Sequence, residues 1–406
     1  HSPKKIPNQF RPKLLQQQNQ NLCMAALSNY QVCEICLGKP ALRCLPAATT
    51  TIGDALAALK RWQEPYLSVW ACDHQRAKTA KRFTERCKCV GKVCLGDIIC
   101  FLAREDKLVD PSAALLEPIL AVLHPYFPPL VRHLEPHAGL GEAIDLIIDG
   151  AQNFVIPIYN PASRKRQTQI STLHESNRQY CWLTQEDLIR YLLSSIYLFS
   201  SVSNKSLESL KIIDPIPFAV HPDDPASAAL PLISSSLLSQ TAVAVLNEDD
   251  KLVAEISYVA LNASDESVAA AIAMLSVAEL IQYIDCVSPP EELVNQIKQR
   301  IVERKLNGVL QLFDDDMSSS YSGGSFSSNS SSSSDDESGR LARSLSRSIR
   351  SRDPLTCFPW SSLIAVMIQA ISHRSNYVWV VDEDGTALGI VTYASMLKIF
   401  CSRVKN

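Results

Sequence analysis

Long apolar segments are missing from this sequence of 406 residues. A membrane-spanning helix needs about 20 consecutive apolar residues. The most apolar stretch, residues 115–130, is interrupted by four prolines and a histidine. An excess of either charge is also missing, since 39 basic residues oppose 42 acidic ones. We therefore expect a soluble protein that binds neither nucleic acid nor membranes, because a binder of these polyanions carries a clear basic excess.

Recognisable catalytic motifs are missing as well. The chain has no Gly-x-Ser-x-Gly elbow, no phosphate-binding P-loop, no His-Glu-x-x-His zinc motif and no kinase signature. His221 and His373 could serve acid–base chemistry, but neither has a visible partner in the sequence. We therefore expect a protein that is not an enzyme and requires no cofactor.

The cysteines do not indicate a disulfide framework, since their number, 13, is odd and their spacing is uneven. Such a count without a secretory signal is typical of reduced intracellular thiols. Two close pairs, Cys33 with Cys36 and Cys87 with Cys89, have spacings that zinc or redox sites also use. A zinc site would need a second pair or a histidine at ligand spacing. We therefore interpret both pairs as ordinary thiols and expect no metal.

The first 23 residues differ in composition from the rest of the chain. Residues 1–23 are polar and rich in glutamine, and the first methionine is Met24. We interpret this segment as a leader or untranslated-region-like extension without a fixed fold. The alternative is a transit peptide, since Lys4, Lys5 and Arg11 occur there without any acidic residue. The expected location is intracellular, in the cytoplasm, with organelle targeting as the alternative.

One pattern of elements occurs four times along the chain. Each copy reads as an amphipathic helix, an apolar strand, a second strand and a closing helix, which predicts a mixed α/β (α+β) fold. The amphipathic helices begin near Thr51, Leu140, Ala226 and Ser361. A single copy is too small to bury a stable core, so we expect the copies to associate in pairs. The predicted boundaries are 24–104 for repeat 1, 131–200 for repeat 2, 210–275 for repeat 3 and 354–406 for repeat 4.

Two local features of the later repeats are predicted from single residues. Pro231 lies inside the first helix of repeat 3, where its missing N–H is expected to kink or restart the helix. In repeat 4, Asp384 and Gly385 are a strong signal for a two-residue hairpin between two apolar strands.

Two insertions separate repeat 3 from repeat 4. Residues 288–310 predict an amphipathic helix with Leu293, Ile297 and Ile301 on one face. Residues 315–353 are dominated by serine and acidic residues followed by arginines, and this composition predicts a disordered loop. Its serines precede acidic residues or alternate with arginines, as in kinase substrates, and the alternative is a plain flexible linker. The predicted phosphorylation sites are Ser333, Ser334, Ser344 and Ser346.

Four segments carry a resemblance to a known family: LGKP at 37–40, CWLTQEDLIR at 181–190, SSLIAVMIQA at 361–370 and NYVWVV at 376–381. Together with the repeated element order, they resemble tandem CBS (cystathionine β-synthase) domains, and they are similar to the four-repeat plant CBSX proteins. The resemblance covers the chain from about Met24 to its end. It implies four β-α-β-β-α repeats paired into two Bateman modules, in a protein that senses or scaffolds.

The same resemblance implies a class of ligand. CBS pairs commonly hold adenosine compounds in the cleft between two domains, through a Gly-x-x-Thr-x-x-Asp motif whose aspartate binds the ribose hydroxyls. AMP, ADP, ATP and S-adenosylmethionine are therefore the implied regulatory ligands. The matching positions, which are the candidate ligand-binding residues, are Thr184 and Asp187 in repeat 2, Asp97 in repeat 1 and Thr392 in repeat 4.

The motif is incomplete in every repeat. Cys181 stands where repeat 2 should have glycine, Cys94 replaces the threonine of repeat 1, and Ser395 replaces the aspartate of repeat 4. Thr184 and Asp187 are moreover spaced as an ordinary N-terminal capping box, which is the alternative to ligand binding.

The expected function is a non-enzymatic regulatory protein that senses adenosine nucleotides and modulates a partner protein. One alternative is an interaction scaffold whose clefts have lost their ligand. Another is a modulator of the thioredoxin redox system, a role linked to some smaller plant CBS-pair proteins. The sequence does not identify the protein partner, and association of the modules into a homodimer is a further expectation.

Overall fold

Each repeat forms one three-stranded sheet in the computed structural model of the chain, which describes residues 30–72, 87–123, 129–158, 179–286, 288–313 and 353–400. In every sheet the first strand runs parallel to the second, and the second runs antiparallel to the third. A parallel pair needs a crossover connection, which the amphipathic helix of each repeat supplies. The mixed α/β class is therefore confirmed.

The strands of repeats 1 and 2 are β1 (Cys44–Pro46), β2 (Leu67–Cys72), β3 (Cys87–Val93), β4 (Val131–His133), β5 (Asn153–Ile158) and β6 (Gln179–Thr184). Those of repeats 3 and 4 are β7 (Ala219–Val220), β8 (Ala242–Leu246), β9 (Leu252–Ser257), β10 (Thr356–Cys357), β11 (Tyr377–Val381) and β12 (Ala387–Thr392).

The helices of the first half are α1 (Val32–Ile35), α2 (Ile52–Trp62), α3 (Leu95–Leu102), α4 (Glu105–Leu108), α5 (Pro111–Leu115), α6 (Leu140–Ile148), α7 (Gln185–Ser194), α8 (Ser200–Ser203) and α9 (Leu207–Leu210). Those of the second half are α10 (Ala226–Ser239), α11 (Tyr258–Asn262), α12 (Val268–Met274), α13 (Val277–Asp285), α14 (Glu291–Glu303), α15 (Leu363–Ser372) and α16 (Tyr393–Phe400). Within the described residues, 3-10 helices lie at Ile119–Ala121, Ile196–Phe199 and Asn307–Phe313.

Two of the four amphipathic helices, α2 and α15, begin at a side-chain cap. At the start of α2, the Asp54 N–H donates to Thr51 Oγ1 at 3.1 Å, and the Thr51 N–H donates to Asp54 Oδ2 at 2.9 Å. At the start of α15, the Ala365 N–H donates to Ser362 Oγ at 3.4 Å. These bonds satisfy N–H groups that the first turn of a helix leaves without a partner.

Helix α10 runs through Pro231 as one helix, so the predicted restart is wrong. Its face with Ala229, Ile233 and Leu237 is buried in the core. Burial of this face holds the helix together although proline removes one backbone hydrogen bond, because helix stability in proteins comes mostly from packing.

The hairpin predicted at Asp384 and Gly385 is present, since β11 pairs antiparallel with β12, but the connection covers residues 382–386 instead of two residues. The Gly385 N–H donates to the Asp382 carbonyl at 3.2 Å, and Gly385 has a φ of 84°. Glycine therefore follows the turn, in the left-handed conformation, instead of occupying its centre. Repeat 3 has the same design with Asp250, whose φ is 56°.

The sheets pack face to face in two pairs. Trp70 and Cys89 of repeat 1 are buried against Val155 and Tyr180 of repeat 2. Repeats 3 and 4 form a second such cluster, in which Ala242, Ala244, Tyr377, Trp379 and Ile390 are buried. The chain therefore contains two modules, the first built from repeats 1 and 2 and the second from repeats 3 and 4.

The helices join the two modules to each other. One core contains the helices of repeats 1 and 3, and another contains those of repeats 2 and 4. Between repeats 1 and 3, the Gly96 N–H donates to Asn262 Oδ1 at 3.0 Å. Between repeats 2 and 4, the rings of Phe199 and Phe400 meet edge to face at 5.2 Å.

The inserted helix α14 adds to the core of repeats 1 and 3. It buries Leu293, Ile297 and Ile301, the three residues that the sequence places on one face. In the part of the chain that the structure describes, no helix combines the length and the apolar character needed to cross a membrane. The extension at 1–23, most of the serine-rich loop and all four predicted phosphorylation sites lie outside the described residues.

Candidate functional site

A cleft of about 230 Å³ lies at the start of α7, where repeat 2 meets the segment that leads into β1. Its wall combines cations, carboxylates, aromatic rings and a hydroxyl group. The residues that supply them are Lys39, Arg43, Glu64, Tyr66, Trp182, Thr184, Glu186 and Asp187. The structure therefore brings two of the predicted ligand-binding residues, Thr184 and Asp187, into one cleft.

Thr184 and Asp187 form a capping box at the first turn of α7. The Asp187 N–H donates to Thr184 Oγ1 at 3.2 Å, while Asp187 Oδ2 accepts from the Thr184 N–H and hydroxyl, each at 2.7 Å. This arrangement places a carboxylate at the helix N-terminus, where the helix dipole stabilises negative charge. Capping is thus present, and it does not by itself decide whether the cleft also binds a ligand.

Lys39 enters the same site from a distant part of the sequence. Its Nζ forms an ion pair with the Asp187 carboxylate and donates to the Trp182 carbonyl at 2.9 Å. About one-fifth of each charged side chain is exposed, 21% for Lys39 and 20% for Asp187. Sequence reasoning did not identify Lys39 as a site residue, because nothing near it predicts a contact with a helix of repeat 2.

A partly buried polar cluster lies behind the cleft. Lys92 Nζ lies 4.9 Å from the ring centroid of Tyr66 and 2.7 Å from Asn153 Oδ1, and Asn153 Nδ2 donates to Tyr66 Oη at 3.3 Å. Burial lowers the pKa of Lys92 to about 8. Burial also raises the pKa of Tyr66, whose ring meets that of Trp182 edge to face at 5.4 Å. A cation and a phenol therefore form the inner end of the site.

Asp97 caps a different helix. Its Oδ2 accepts the Cys94 N–H at 2.8 Å at the start of α3, and it does not line the cleft at Asp187. A side chain placed at Gly91 would meet Leu123 at 3.2 Å, so Leu123 covers the surface that the glycine of the motif would present to a ligand.

Thr392 likewise lies at its own helix, where its N–H donates to Ser395 Oγ at 2.8 Å. The neighbouring strand surface is covered by backbone, because Asp214 and Ile390 exchange two hydrogen bonds of 2.9 Å. A Cβ atom at Gly389 would clash with the Asp214 carbonyl. The four candidate residues thus lie at three helix starts. Thr184 and Asp187 share one of them, whereas Asp97 and Thr392 each lie at another.

Metal ligation has no support in the described residues, where no group of three or more histidine, cysteine or acidic side chains could hold an ion. Cys33 and Cys36 lie at α1, and Cys72 faces Cys87 across the hairpin of repeat 1. Cys33 Sγ lies 3.6 Å from Gln31 Oε1, and Cys89 Sγ lies 3.2 Å from the Gly91 carbonyl, so one member of each close pair contacts a polar group.

Comparisons with known proteins agree with this architecture. The CBS domain family matches residues 347–402. The CBS domain-containing protein CBSX5 of Arabidopsis thaliana is 39% identical over 394 residues, which cover 94% of this chain and 99% of the relative. CBSX6 of the same plant is 26% identical over an alignment of 423 residues, which covers 92% of this chain and 94% of the relative.

A solved structure shares the fold. Protein MJ1225 from Methanocaldococcus jannaschii, proposed as an archaeal homologue of g-AMPK, matches with a TM-score of 0.53 at 16% identity, over 91% of this chain and 100% of its own. The four sheets in two pairs therefore follow a known arrangement. Since the identity to CBSX5 extends over nearly the whole length of both proteins, the chain belongs to the CBSX family of CBS domain-containing proteins.

Proposed function

We propose that this protein is a non-enzymatic regulatory protein that binds an adenosine compound in the cleft at Asp187 and thereby modulates a partner protein. The observation that supports the proposal is the composition of this one cleft. It is lined by a carboxylate at a helix N-terminus, by cations and by aromatic rings. These are groups that can bind a ribose, an anionic or polar tail and an adenine ring.

Asp187 has an oxygen to offer to the ribose. All the hydrogen bonds that its carboxylate accepts from described residues, those of Thr184 and Lys39, go to Oδ2. An ionised carboxylate has about four acceptor positions on its two oxygens. Oδ1 can therefore accept a ribose hydroxyl while Thr184 keeps its cap, and a second hydroxyl would take the place of Lys39 on Oδ2.

The other parts of the ligand have matching groups. The rings of Tyr66 and Trp182 offer apolar surface to a purine, which aromatic side chains bind by stacking. Lys39 and Arg43 provide positive charge, and the first turn of α7 adds backbone N–H groups that favour an anion.

The charge of the cleft favours some adenosine compounds over others. Two cations, Lys39 and Arg43, stand against three carboxylates, Glu64, Glu186 and Asp187. A triphosphate would bring several more negative charges near these carboxylates, and like charges at short range repel. We therefore propose AMP or the cationic S-adenosylmethionine as the preferred ligand, ahead of ADP and ATP.

An interaction scaffold is the second candidate, and the covered motifs favour it. Leu123 lies in front of Gly91 and the Asp214 backbone lies in front of Gly389, so the corresponding positions of repeats 1 and 4 face protein. The helices of the two modules also pack against each other within the chain. A homodimer would therefore use another surface.

Titration of the full-length chain with AMP, ADP, ATP and S-adenosylmethionine tests the proposal. A ligand at 100 times its Kd adds about 2.7 kcal/mol to the stability of the folded state, which a thermal-shift assay detects. We expect AMP or S-adenosylmethionine to raise the melting temperature more than ATP does, and calorimetry to give one site per chain. No binding at millimolar concentration would exclude the sensor and favour the scaffold.

A further inference from the structure

A short segment with few contacts lines the cleft. It consists of residues 37–41, which we call the strap, and it lies between α1 and β1. Backbone hydrogen bonds fix the chain to repeat 2 on either side of the strap. Before it, the Val32 N–H donates to the Ala138 carbonyl at 3.0 Å, and after it the Leu42 N–H donates to the Tyr180 carbonyl at 2.7 Å. The strap is therefore anchored at both ends to the repeat that carries Thr184 and Asp187.

Lys39 supplies the contact between the middle of the strap and repeat 2. Among the described residues, the strap has no backbone hydrogen bond to another element. Leu37 is 81% exposed, Pro40 and Ala41 are exposed as well, and a Cβ atom at Gly38 would meet nothing within 4 Å. Gly38 has a φ of 77°, a left-handed conformation that glycine adopts without strain, so the chain turns here. The ammonium group of Lys39 is therefore the point at which the strap is held.

The Lys39 ammonium occupies the place that the proposed ligand needs. It forms an ion pair with Asp187 Oδ2 and donates to the Trp182 carbonyl at 2.9 Å. A ribose presents two neighbouring hydroxyls, and a carboxylate that accepts one on each oxygen must have both oxygens accessible. Oδ1 of Asp187 accepts no hydrogen bond from the described residues, whereas Oδ2 carries Lys39. A ribose bound through both hydroxyls therefore competes with Lys39.

We propose that Lys39 is an internal competitor of the ligand, which holds the strap on Asp187 until a ligand takes its place and frees the strap. The competition rests on the proposed function, whereas the hold of Lys39 on the strap does not. A site whose open form is only partly populated binds its ligand with an affinity reduced by that fraction. The ion pair between Lys39 and Asp187 thus sets the ligand concentration at which the protein responds.

Two effects of Lys39 on binding can be separated with two ligands. Adenosine is uncharged, so Lys39 only competes with it. AMP carries a phosphate, and the displaced ammonium group can pair with this phosphate, so Lys39 both competes with AMP and attracts it. Lys39→Met removes the ammonium group and keeps an unbranched apolar side chain. The substitution should therefore favour adenosine more than it favours AMP.

Calorimetric titration of the full-length chain with adenosine and with AMP tests the competition. Lys107 provides a matched control, because its side chain is 20% exposed, its Nζ lies 2.6 Å from Glu117 Oε1, and it does not line the cleft. We expect Lys39→Met to bind adenosine at least about fivefold more tightly than the wild type, with a smaller gain for AMP. Lys107→Met should keep the affinities of the wild type. Unchanged or weaker binding of adenosine by Lys39→Met would overturn the proposal.

Acylation by an amine reagent, without any nucleotide, tests the hold on the strap. Asp187→Asn keeps an oxygen that can cap α7 and removes the charge that holds Lys39. We expect the labelling rate of Lys39, relative to that of Lys107, to rise at least about threefold in this variant. Asp54→Asn makes the same change at the start of α2 and should leave the rate at its wild-type value. Equal Lys39 rates in the wild type and in Asp187→Asn would refute the hold.

Labelling of the wild type in the presence of adenosine completes the test. Saturating adenosine should raise the rate at Lys39, because the ammonium group leaves Asp187, whereas a ligand that only covers Lys39 would lower the rate. A lower or unchanged rate would refute the displacement. If neither adenosine nor AMP binds the wild type or Lys39→Met at millimolar concentration, the proposed function and the competition are refuted together. The labelling rates of Asp187→Asn then decide by themselves whether Lys39 holds the strap.

Discussion

Replacing Asp187 by alanine removes two interactions of the ligand-free protein at once, and their magnitudes can be separated. Loss of the capping bonds with Thr184 costs about 1 kcal/mol of stability. Loss of the ion pair with Lys39, whose partners are about one-fifth exposed, costs more than a surface pair and less than a buried one, roughly 1–2 kcal/mol. We therefore expect Asp187→Ala to lower the free energy of unfolding by about 2–3 kcal/mol without any ligand.

The first helix of repeat 1 provides a matched control. Asp54 caps α2 with the same geometry, since its Oδ2 accepts the Thr51 N–H at 2.9 Å and the Thr51 hydroxyl at 2.8 Å. It does not line the cleft and has no ion pair in the described structure. Asp54→Ala should therefore cost only the cap, about 1 kcal/mol. The difference between the two variants measures what Asp187 does beyond capping.

Calorimetric titration and chemical denaturation of both variants complete the test. A charge-assisted contact to a ribose is worth about 1.5–3 kcal/mol, so Asp187→Ala should weaken the binding of AMP or S-adenosylmethionine more than tenfold. Asp54→Ala should leave the affinity unchanged. If both variants lose equal stability and the affinity of Asp187→Ala equals that of the wild type, then Asp187 is a capping residue and the reasoning is refuted.

Three further predictions concern other parts of the chain. Burial lowers the pKa of Lys92 from 10.5 to about 8. Between these two pH values the unfolded chain keeps the Lys92 proton and the folded protein does not, so the folded state becomes more stable as pH rises. In denaturation experiments the wild type should gain about 3 kcal/mol of unfolding free energy relative to Lys92→Met across this window. A stability difference that does not vary with pH would contradict the burial of Lys92. Gly389→Ala should lower the free energy of unfolding by about 1–3 kcal/mol, because the new Cβ would meet the rigid Asp214 backbone. Gly91→Ala should lower it less, because its Cβ meets only the movable Leu123 side chain. Equal melting temperatures of the two variants would contradict the covering of Gly389 by the Asp214 backbone. Phosphosite mapping of protein from native tissue should find modification within residues 330–351, and an unmodified segment would support the plain linker.

The order of elements follows from the sequence because its signals are local. Thr51 with Asp54 and Thr184 with Asp187 mark helix starts through bonds between residues three positions apart. Apolar residues at helical spacing, such as those of α14, identify the face that becomes buried. Repetition of one pattern then predicts the mixed α/β class, since each copy needs a partner to bury its sheet.

In two elements, packing and turn geometry decided details that single residues do not predict. A buried face kept α10 continuous through Pro231. In the hairpin of repeat 4, the left-handed Gly385 was placed after its turn. Composition and local spacing do not show which helix face will be buried or how a turn will close.

Tertiary structure alone decided the composition of the cleft. Lys39 reaches Asp187 across 148 positions of sequence. Whether a motif glycine is open or covered by a segment such as Asp214 likewise depends on where a distant piece of chain passes. Local hydrogen bonds and hydrophobic periodicity predict each element. The contacts among elements are decided by the free energy of burying the apolar surface of all four repeats together, which depends on the whole fold.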